Sequence, residues 1–225
     1  LKIRATVLGK KHPSTLATYH NIGSVHFNLS NVDSGLKYFK RALPRTVGSR
    51  RGTVKAGRRL LDRQRSIFDK VDYDYAISKT YSNIGSVHFK KGNFERSLHY
   101  YSEALRLQYI EDEDSTSKSI DKQLSAATTY SNIASAYSKK GDFEDSLEFH
   151  VRALEIRETQ LGDHVDTATS YYNIGFLHAR HEDYDLALEA HRKSLDIRKN
   201  VLGENHKDVA SSYNSVGISY FHLGY

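Results

Sequence analysis

Apolar residues along the chain recur at a helical spacing, most completely between residues 80 and 107. In the first half of this stretch, four residues fall at positions i, i+3, i+4 and i+7, the spacing of one buried helix face: Tyr81, Ile84, Gly85 and His88. Gly92 then interrupts the pattern with a residue that tolerates left-handed backbone geometry. A second apolar stripe follows: Phe94, Ser97, Leu98, Tyr101, Ala104 and Leu105. The stretch predicts a hairpin of two helices, which needs neighbouring hairpins to cover its apolar stripes.

The same pattern occurs at four other places, and it can be aligned on one small residue. We call Gly85 and its equivalents the anchor residues: Gly23, Gly85, Ala134, Gly175 and Gly217. A tyrosine stands four residues before each anchor: Tyr19, Tyr81, Tyr130, Tyr171 and Tyr213. A leucine stands thirteen residues after each of the first four anchors: Leu36, Leu98, Leu147 and Leu188. This repetition predicts an array of helical hairpins, in which Leu147 is buried between two of them.

The linkers between hairpins carry a second recurring pattern, Leu-Gly followed by a histidine. The histidine lies eleven residues before the next anchor in each case: His12, His164 and His206. With these linkers and a repeat of about 42 residues, the chain resembles the tetratricopeptide repeat family, of the kinesin light chain type shared by nephrocystin-3-like proteins. The resemblance covers nearly the whole chain and implies an all-α fold, a right-handed superhelical solenoid of antiparallel helix pairs.

We expect one tetratricopeptide array over residues 1–225, interrupted twice. The repeats are predicted at about 16–43, 78–108, 127–158 and 168–199, with a partial repeat at 210–225. The extra residues between anchors place insertions at about 44–63 and 111–117. Pro44 predicts that the second helix of the first repeat ends near Leu43, because proline is unfavourable inside a helix. Helix is expected again from about 60 to 71. The chain contains no methionine, so we expect it to be a piece of a longer protein.

The formal charge of +6 is concentrated in one segment. Residues 44–65 contain eight Lys or Arg and one acid, a net +7, so the remaining residues sum to −1. A nucleic-acid contact through this basic insertion is an alternative, but the array itself gives no reason to expect one. The absence of cysteine excludes disulfides and thiolate metal sites and is typical of a reducing compartment. No stretch is apolar and long enough to span a membrane.

Each first helix also carries a mostly polar stripe, separate from its apolar stripe. The members of this stripe lie six and two residues before the anchor, and one and five residues after it. We call these positions the first-helix face. In order along the chain they are Ala17, Asn21, Ser24 and Asn28, then Lys79, Asn83, Ser86 and Lys90, then Thr128, Asn132, Ser135 and Lys139, then Thr169, Asn173, Phe176 and Arg180. This face carries four cations and no acid, whereas acids crowd the second helices.

In tetratricopeptide arrays the first helices line a concave groove that holds partner peptides. The resemblance therefore implies a non-catalytic protein-binding scaffold, with four asparagines that hydrogen-bond an extended peptide backbone: Asn21, Asn83, Asn132 and Asn173. It implies that four cations bind carboxylates of an acidic ligand: Lys79, Lys90, Lys139 and Arg180. Ser86, Ser135 and Phe176 complete the predicted site. The alternative is that these polar residues are ordinary solvated surface.

The resemblance further implies a cytoplasmic cargo or partner adaptor, which could serve a kinesin motor complex. A carboxylate clamp for chaperone tails is not matched, because His20 and Ser24 stand where it needs lysine and asparagine. A second alternative is an array that regulates an enzyme domain outside this chain.

No catalytic or cofactor motif is present. The chain has twelve histidines, but His26, His88 and His178 share an apolar position that tyrosine fills elsewhere, so we expect them to be packing residues. We therefore predict no metal, no cofactor and no catalytic residue.

Overall fold

A computed structural model describes residues 1–10, 12–43, 67–109 and 119–225. This part of the chain contains ten helices and no strand, which confirms the predicted all-α class. It divides into two compact units, Leu1–Ser117 and Lys118–Tyr225. The predicted insertions, 44–63 and 111–117, lie outside the described residues, as does most of the helix expected from about 60 to 71.

The first unit contains a short helix and two hairpins. Its helices are α1 (Lys2–Val7), α2 (Pro13–Asn28), α3 (Val32–Ala42), α4 (Ile67–Lys90) and α5 (Phe94–Tyr109). Helix α2 pairs with α3, α4 pairs with α5, and α3 also packs on α4. Helix α3 ends at Ala42 with Leu43 as its C-cap, which confirms the stop predicted from the proline that follows. Helix α4 begins well before residue 78, the predicted start of the second repeat. The first helix of this repeat is therefore longer than the repeat pattern requires.

The second unit contains two complete hairpins and a final first helix. Its helices are α6 (Ile120–Lys140), α7 (Phe143–Leu161), α8 (Val165–Arg180), α9 (Tyr184–Leu202) and α10 (Lys207–His222). Helix α6 pairs with α7, α8 pairs with α9, and each hairpin packs on the helix that follows it. The hairpins therefore stack in sequence order, as the repeat pattern predicts.

Every hairpin turn places the residue seven positions after the anchor in the left-handed region. Gly92 and Gly141 have φ of +72° and +92° there, as the turn pattern predicts. In the other two complete hairpins the position is occupied by Ser30, with φ +61°, and Glu182, with φ +67°. Side chains with a Cβ are strained in this region, so these two turns are less stable than the glycine turns.

Replacing Glu182 with glycine is expected to raise the free energy of unfolding by about 1 kcal/mol, because glycine adopts this φ without strain. The reverse change at the equivalent position, Gly141→Ala, should lower it by a similar amount. Urea denaturation followed by circular dichroism measures both. Changes of the same sign in the two variants would contradict this explanation of the turn.

In three of the four complete hairpins, the core brings the anchor against a large ring sixteen residues later. A Cβ built on Gly23 would lie 2.6 Å from the Phe39 ring, and one built on Gly85 would lie 2.6 Å from the Tyr101 ring. On Gly175 it would lie 2.7 Å from His191. These rings are buried, as is His150, the equivalent ring in the third hairpin. The anchor is small because the partner ring occupies the space that a side chain would need.

The histidines that share the apolar position three residues after the anchor are packing residues, as predicted. His88 and His178 are buried, and His26 is half-buried. His26 stacks on Tyr38 and His88 on Tyr100, each with ring centroids 5.3 Å apart. Leu147, expected to be buried between hairpins, is only half-buried, because it lies at the edge of the cluster formed by Leu154, Ile174 and Ala190.

The three linker histidines cap the helices that follow them. The Nδ1 atom of each accepts a hydrogen bond from the backbone N–H two residues later, at 3.1–3.2 Å: His12 from Ser14, His164 from Asp166 and His206 from Asp208. Each bond satisfies one of the N–H groups that the first turn of a helix leaves unpaired. The linker pattern thus fixes where three of the first helices begin: α2, α8 and α10.

Candidate peptide-binding face

In the first unit, part of the first-helix face forms contacts between α2 and α4. Asn83 Nδ2 lies 3.5 Å from both His20 Nε2 and Ser24 Oγ, and Thr80 Oγ1 lies 2.9 Å from His20 Nδ1. Burial, followed by the charge of Lys79, lowers the pKa of His20, so His20 is neutral near pH 7 and can accept a hydrogen bond. Asn21 is exposed and lies outside this group.

The two lysines of this unit rest on aromatic rings. Lys79 Nζ lies 4.2 Å from the centroid of the Tyr75 ring, and Lys90 Nζ lies 4.3 Å from that of Phe27. Cation–π contacts of this kind hold an ammonium group in place and leave its N–H groups able to bind an anion. Both lysines are exposed, so they remain accessible to a ligand.

The serines of the face are held by their own helices. Ser86 Oγ donates to the backbone carbonyl of Ser82 at 3.1 Å and lies 3.1 Å from Tyr101 Oη. Ser135 Oγ donates to the carbonyl of Ser131 at 2.9 Å. Both side chains line the face but are half-buried, so only a small part of each is available for a ligand to contact.

In the second unit, the amides of the face are available. Asn132 on α6 and Asn173 on α8 are half-buried, and neither side chain has a hydrogen-bond partner among residues 119–225. Phe176, one helical turn after Asn173, is 52 % exposed. An amide offers both a donor and an acceptor to a peptide backbone, and the exposed ring offers an apolar contact beside it.

The two cations of the second unit lie at the C-terminal ends of α6 and α8. Lys139 is exposed, and Arg180 Nη1 donates to Ser138 Oγ at 3.0 Å, which connects the two helices. No carboxylate in the described residues pairs with either cation, nor with Lys79 or Lys90 in the first unit.

Some charges on the second helices are paired along the helix. Arg152 Nη2 lies 2.5 Å from Glu148 Oε1, and Lys193 Nζ lies 3.0 Å from Glu189 Oε1. The four cations of the first-helix face have no such partner in the described residues.

Sequence reasoning missed the part that His20 plays, because it treated this residue only as a departure from a carboxylate clamp. Its position three residues before an anchor is filled by Ser82, Ser131, Tyr172 and Asn214 elsewhere, so no repeated pattern identified it. Among the described residues, no group of three or more His, Cys, Asp or Glu side chains is placed to hold a metal. In the same part of the chain, no helix has the length and apolarity needed to cross a bilayer.

Comparison with known families gives matches to the tetratricopeptide repeat at residues 15–47, 78–109, 125–200 and 166–224. Together these ranges cover more than half of the chain. No curated protein matches the sequence.

Solved structures match nearly the whole chain. BtubC (BKLC) from P. vanneervenii is 17 % identical with a TM-score of 0.72, over 99 % of this chain and 78 % of that one. A Podosopora anserina protein described as a kinesin light chain, with nearly identical TPR-like repeats, is 13 % identical with a TM-score of 0.66, over 95 % and 88 %. The apo form of RapI is 13 % identical with a TM-score of 0.67, over 99 % and 73 %. At these identities the likeness shows a shared fold.

Proposed function

Because the chain belongs to the tetratricopeptide repeat family, we propose that it is a non-catalytic scaffold that binds an extended acidic peptide along its first-helix face. The family and the all-α repeat architecture predicted from the sequence are confirmed. One observation supports the choice of ligand: the first-helix face carries four cations and no acid, and none of the four cations has a carboxylate partner in the described residues.

The amides support an extended backbone as the part of the ligand that is recognised. Asn132 and Asn173 occupy the same position in successive first helices and have no partner in their unit. A half-buried amide without a partner loses hydrogen bonds to water, and a peptide N–H and C=O can replace them. The side-chain amide of Asn83 lies 3.5 Å from His20 and Ser24. It would replace these long contacts with hydrogen bonds to the peptide.

Reversing the charge of both cations in the second unit tests the proposal. In the double variant Lys139→Glu/Arg180→Glu, the affinity for an acidic peptide should fall more than tenfold, which corresponds to about 1.4 kcal/mol. The affinity should also become less sensitive to salt, because screened charge pairs are removed. An acidic peptide is first chosen by a fluorescence binding assay. Isothermal titration calorimetry with this peptide at two salt concentrations then measures both effects.

Lys207→Glu is the matched control. Lys207 is exposed in the same unit and carries the same charge, but it lies at the first turn of α10 and outside the first-helix face. The affinity of the Lys207→Glu variant for the peptide should stay within about twofold of the affinity of the parent protein. The control reverses one charge and the double variant reverses two, so a loss of binding free energy in the control that is about half the loss in the double variant would mean that net charge, and not this face, determines binding.

The likeness to the Podosopora anserina protein described as a kinesin light chain supports a more specific form of the proposal. In that form the scaffold is a cytoplasmic adaptor that joins an acidic cargo segment to a motor complex. The two alternatives have no structural observation in their favour: the basic segment 44–65 lies outside the described residues, and an attached enzyme domain would lie outside the chain.

A further inference from the structure

His20 lies in a hydrogen-bonded network between α2 and α4 that determines which of its ring nitrogens carries the proton. The hydroxyl of Thr80 donates its single hydrogen to the backbone carbonyl of Ala76 at 3.0 Å, so it accepts from His20 Nδ1, 2.9 Å away. The neutral ring therefore carries its proton on Nδ1. The other nitrogen, Nε2, has a lone pair and no hydrogen, and it lies 3.5 Å from Asn83 Nδ2.

The same network determines which end of the Asn83 amide is left for a ligand. The hydroxyl of Ser24 donates to the backbone carbonyl of His20 at 3.2 Å, so its oxygen accepts from Asn83 Nδ2. The two hydrogens of this Nδ2 are thus directed at His20 and Ser24, and no group in the described residues donates to Asn83 Oδ1. While His20 is neutral, Asn83 therefore offers a ligand an acceptor, which suits a backbone N–H but not a carboxylate.

A carboxylate ligand needs the opposite orientation of the amide, because a carboxylate only accepts hydrogen bonds. Turning Nδ2 of Asn83 towards the ligand brings Oδ1 to face His20 Nε2, so that two acceptors oppose each other. A second proton on the ring removes this conflict, since Nε2–H then donates to Oδ1. From this geometry we infer that His20 is a positioning residue: when the first unit binds an acidic ligand, His20 takes up a proton from solvent, and the Asn83 amide turns to donate to the ligand. This inference rests on the proposed function and adds a pH dependence to it.

The groups around His20 determine the direction of this pH dependence. Helix α3 presents the Phe39 ring, whose centroid lies 5.7 Å from that of His20, and α4 presents Lys79. On the side of α1, Arg4 is held at Thr18 Oγ1, at 2.8 Å. Burial, followed by the charge of Lys79, lowers the pKa of His20 in the free protein, and a ligand carboxylate raises it. Because the pKa is higher in the complex, affinity is gained as the pH falls through the pKa of the complex, and the gain is complete below the pKa of the free protein.

The second unit provides an internal comparison. Ser131 on α6 occupies the position that His20 has on α2, and Asn173 on α8 has no hydrogen-bond partner among residues 119–225. Asn173 can therefore turn either end of its amide to a ligand without any change in protonation. The coupling between amide orientation and proton uptake belongs to the first unit.

Isothermal titration calorimetry of the full chain, in two buffers of different ionisation enthalpy, tests the inference. The probe is a capped peptide of aspartates, whose carboxylates stay ionised over the range used, and the comparison is the same peptide made of asparagines. Between about pH 8 and about pH 6 the affinity for the aspartate peptide should rise at least about threefold, and the heats should show proton uptake on binding. Equal affinity for the two peptides at both pH values would contradict the proposed function. Preferential binding of the aspartate peptide without proton uptake would overturn this inference alone.

A variant and a spectrum of the unchanged chain assign the proton to His20. His20→Gln keeps a hydrogen-bonding side chain that cannot gain a proton, so its affinity at about pH 8 should stay within about twofold of the parent, and the gain on acidification should disappear. His99→Gln, at an exposed histidine of α5, should keep the gain. Long-range ¹H–¹⁵N spectra should show the Nδ1–H tautomer of His20 in the free protein and a doubly protonated ring in the complex at about pH 6. An Nε2–H tautomer in the free protein, or a gain that survives in His20→Gln, would overturn the inference.

Discussion

Replacing Gly85 with alanine is expected to lower the free energy of unfolding by about 2 kcal/mol. The new Cβ would lie 2.6 Å from the ring of Tyr101, which is 2 % exposed and has no room to move away. Overpacking of this kind costs about 1–3 kcal/mol, which exceeds the gain of up to about 1 kcal/mol from the better helix propensity of alanine. Denaturation in urea, followed by circular dichroism, measures the change.

The same substitution at Gly217 should have the opposite sign. Gly217 is the anchor of α10, and apart from its chain neighbours and the backbone of its own helix, no atom of the described residues lies within 4 Å of the position that its Cβ would take. Gly217→Ala should therefore gain about 1 kcal/mol from helix propensity alone. The double variant Gly85→Ala/Tyr101→His should recover part of the loss, because the buried residues Ala134 and His150 occupy these two positions in the third hairpin. Equal effects at the two glycines would show that the anchor-to-ring contact does not limit the size of the anchor.

Acidification from pH 7 to pH 4 is expected to destabilise the second unit through His150. Burial, followed by the charge of Arg157, lowers the pKa of His150 from 6.5 to about 4. As the pH falls, His150 therefore binds a proton near pH 6.5 in the unfolded chain but only near pH 4 in the folded chain. The stability from the neutral ring is fully present above pH 6.5 and is lost as the pH falls towards 4. The difference in pKa corresponds to on the order of 3 kcal/mol.

Urea midpoints at pH 7 and pH 4.5 for the parent and for His150→Phe/Ala134→Gly separate this effect from the titration of carboxylates. The double variant reproduces the glycine and phenylalanine pair of the first hairpin, Gly23 and Phe39, and removes the titrating ring. Its stability should fall less between the two pH values than that of the parent. His99→Phe, a change at an exposed histidine of α5, should leave the parent's pH dependence intact. An unchanged pH dependence in the double variant would contradict the assignment to His150.

The order of helices was predictable because the repeat pattern occurs five times in the sequence. The anchor, the tyrosine four residues before it and the turn residue seven after it together define where each hairpin bends, as at Gly92 and Gly141. The large ring sixteen residues after the anchor was available in the same alignment, as Phe39, Tyr101, His150 and His191. It was missed because phenylalanine, tyrosine and histidine are not usually grouped as one residue type.

The helix caps could not be derived in the same way. Serine, threonine, aspartate and asparagine are the usual N-cap residues, so His164 and His206 gave no cap signal even though their linker pattern was noticed. Two buried arginines were also missed, because their partners lie one helix away in sequence. Arg157 donates to Ser170 Oγ at 2.6 Å and Arg198 donates to Ser212 Oγ at 2.7 Å. Long charged side chains become buried only when such hydroxyls meet them in three dimensions.

The binding role of the first-helix face stays a prediction, and the contacts within this face could not be derived from the sequence. Spacing along a helix determines only which side of that helix Lys139 or Arg180 occupies, because a helix face is a local property. The contact of Asn83 with His20 depends on how α2 meets α4, which lie 39 residues apart in sequence between Asn28 and Ile67. Sequence spacing does not determine that distance.

The most direct test of the proposed function is to locate the bound peptide by chemical shifts. An acidic peptide titrated into ¹⁵N-labelled protein should move the side-chain amide signals of Asn132 and Asn173 and the backbone signals around Lys139 and Arg180. The same peptide with its Asp and Glu residues changed to Asn and Gln should move them much less at equal concentration. Shifts confined to the second helices, or equal shifts with the neutral peptide, would contradict binding of an acidic segment on the first-helix face.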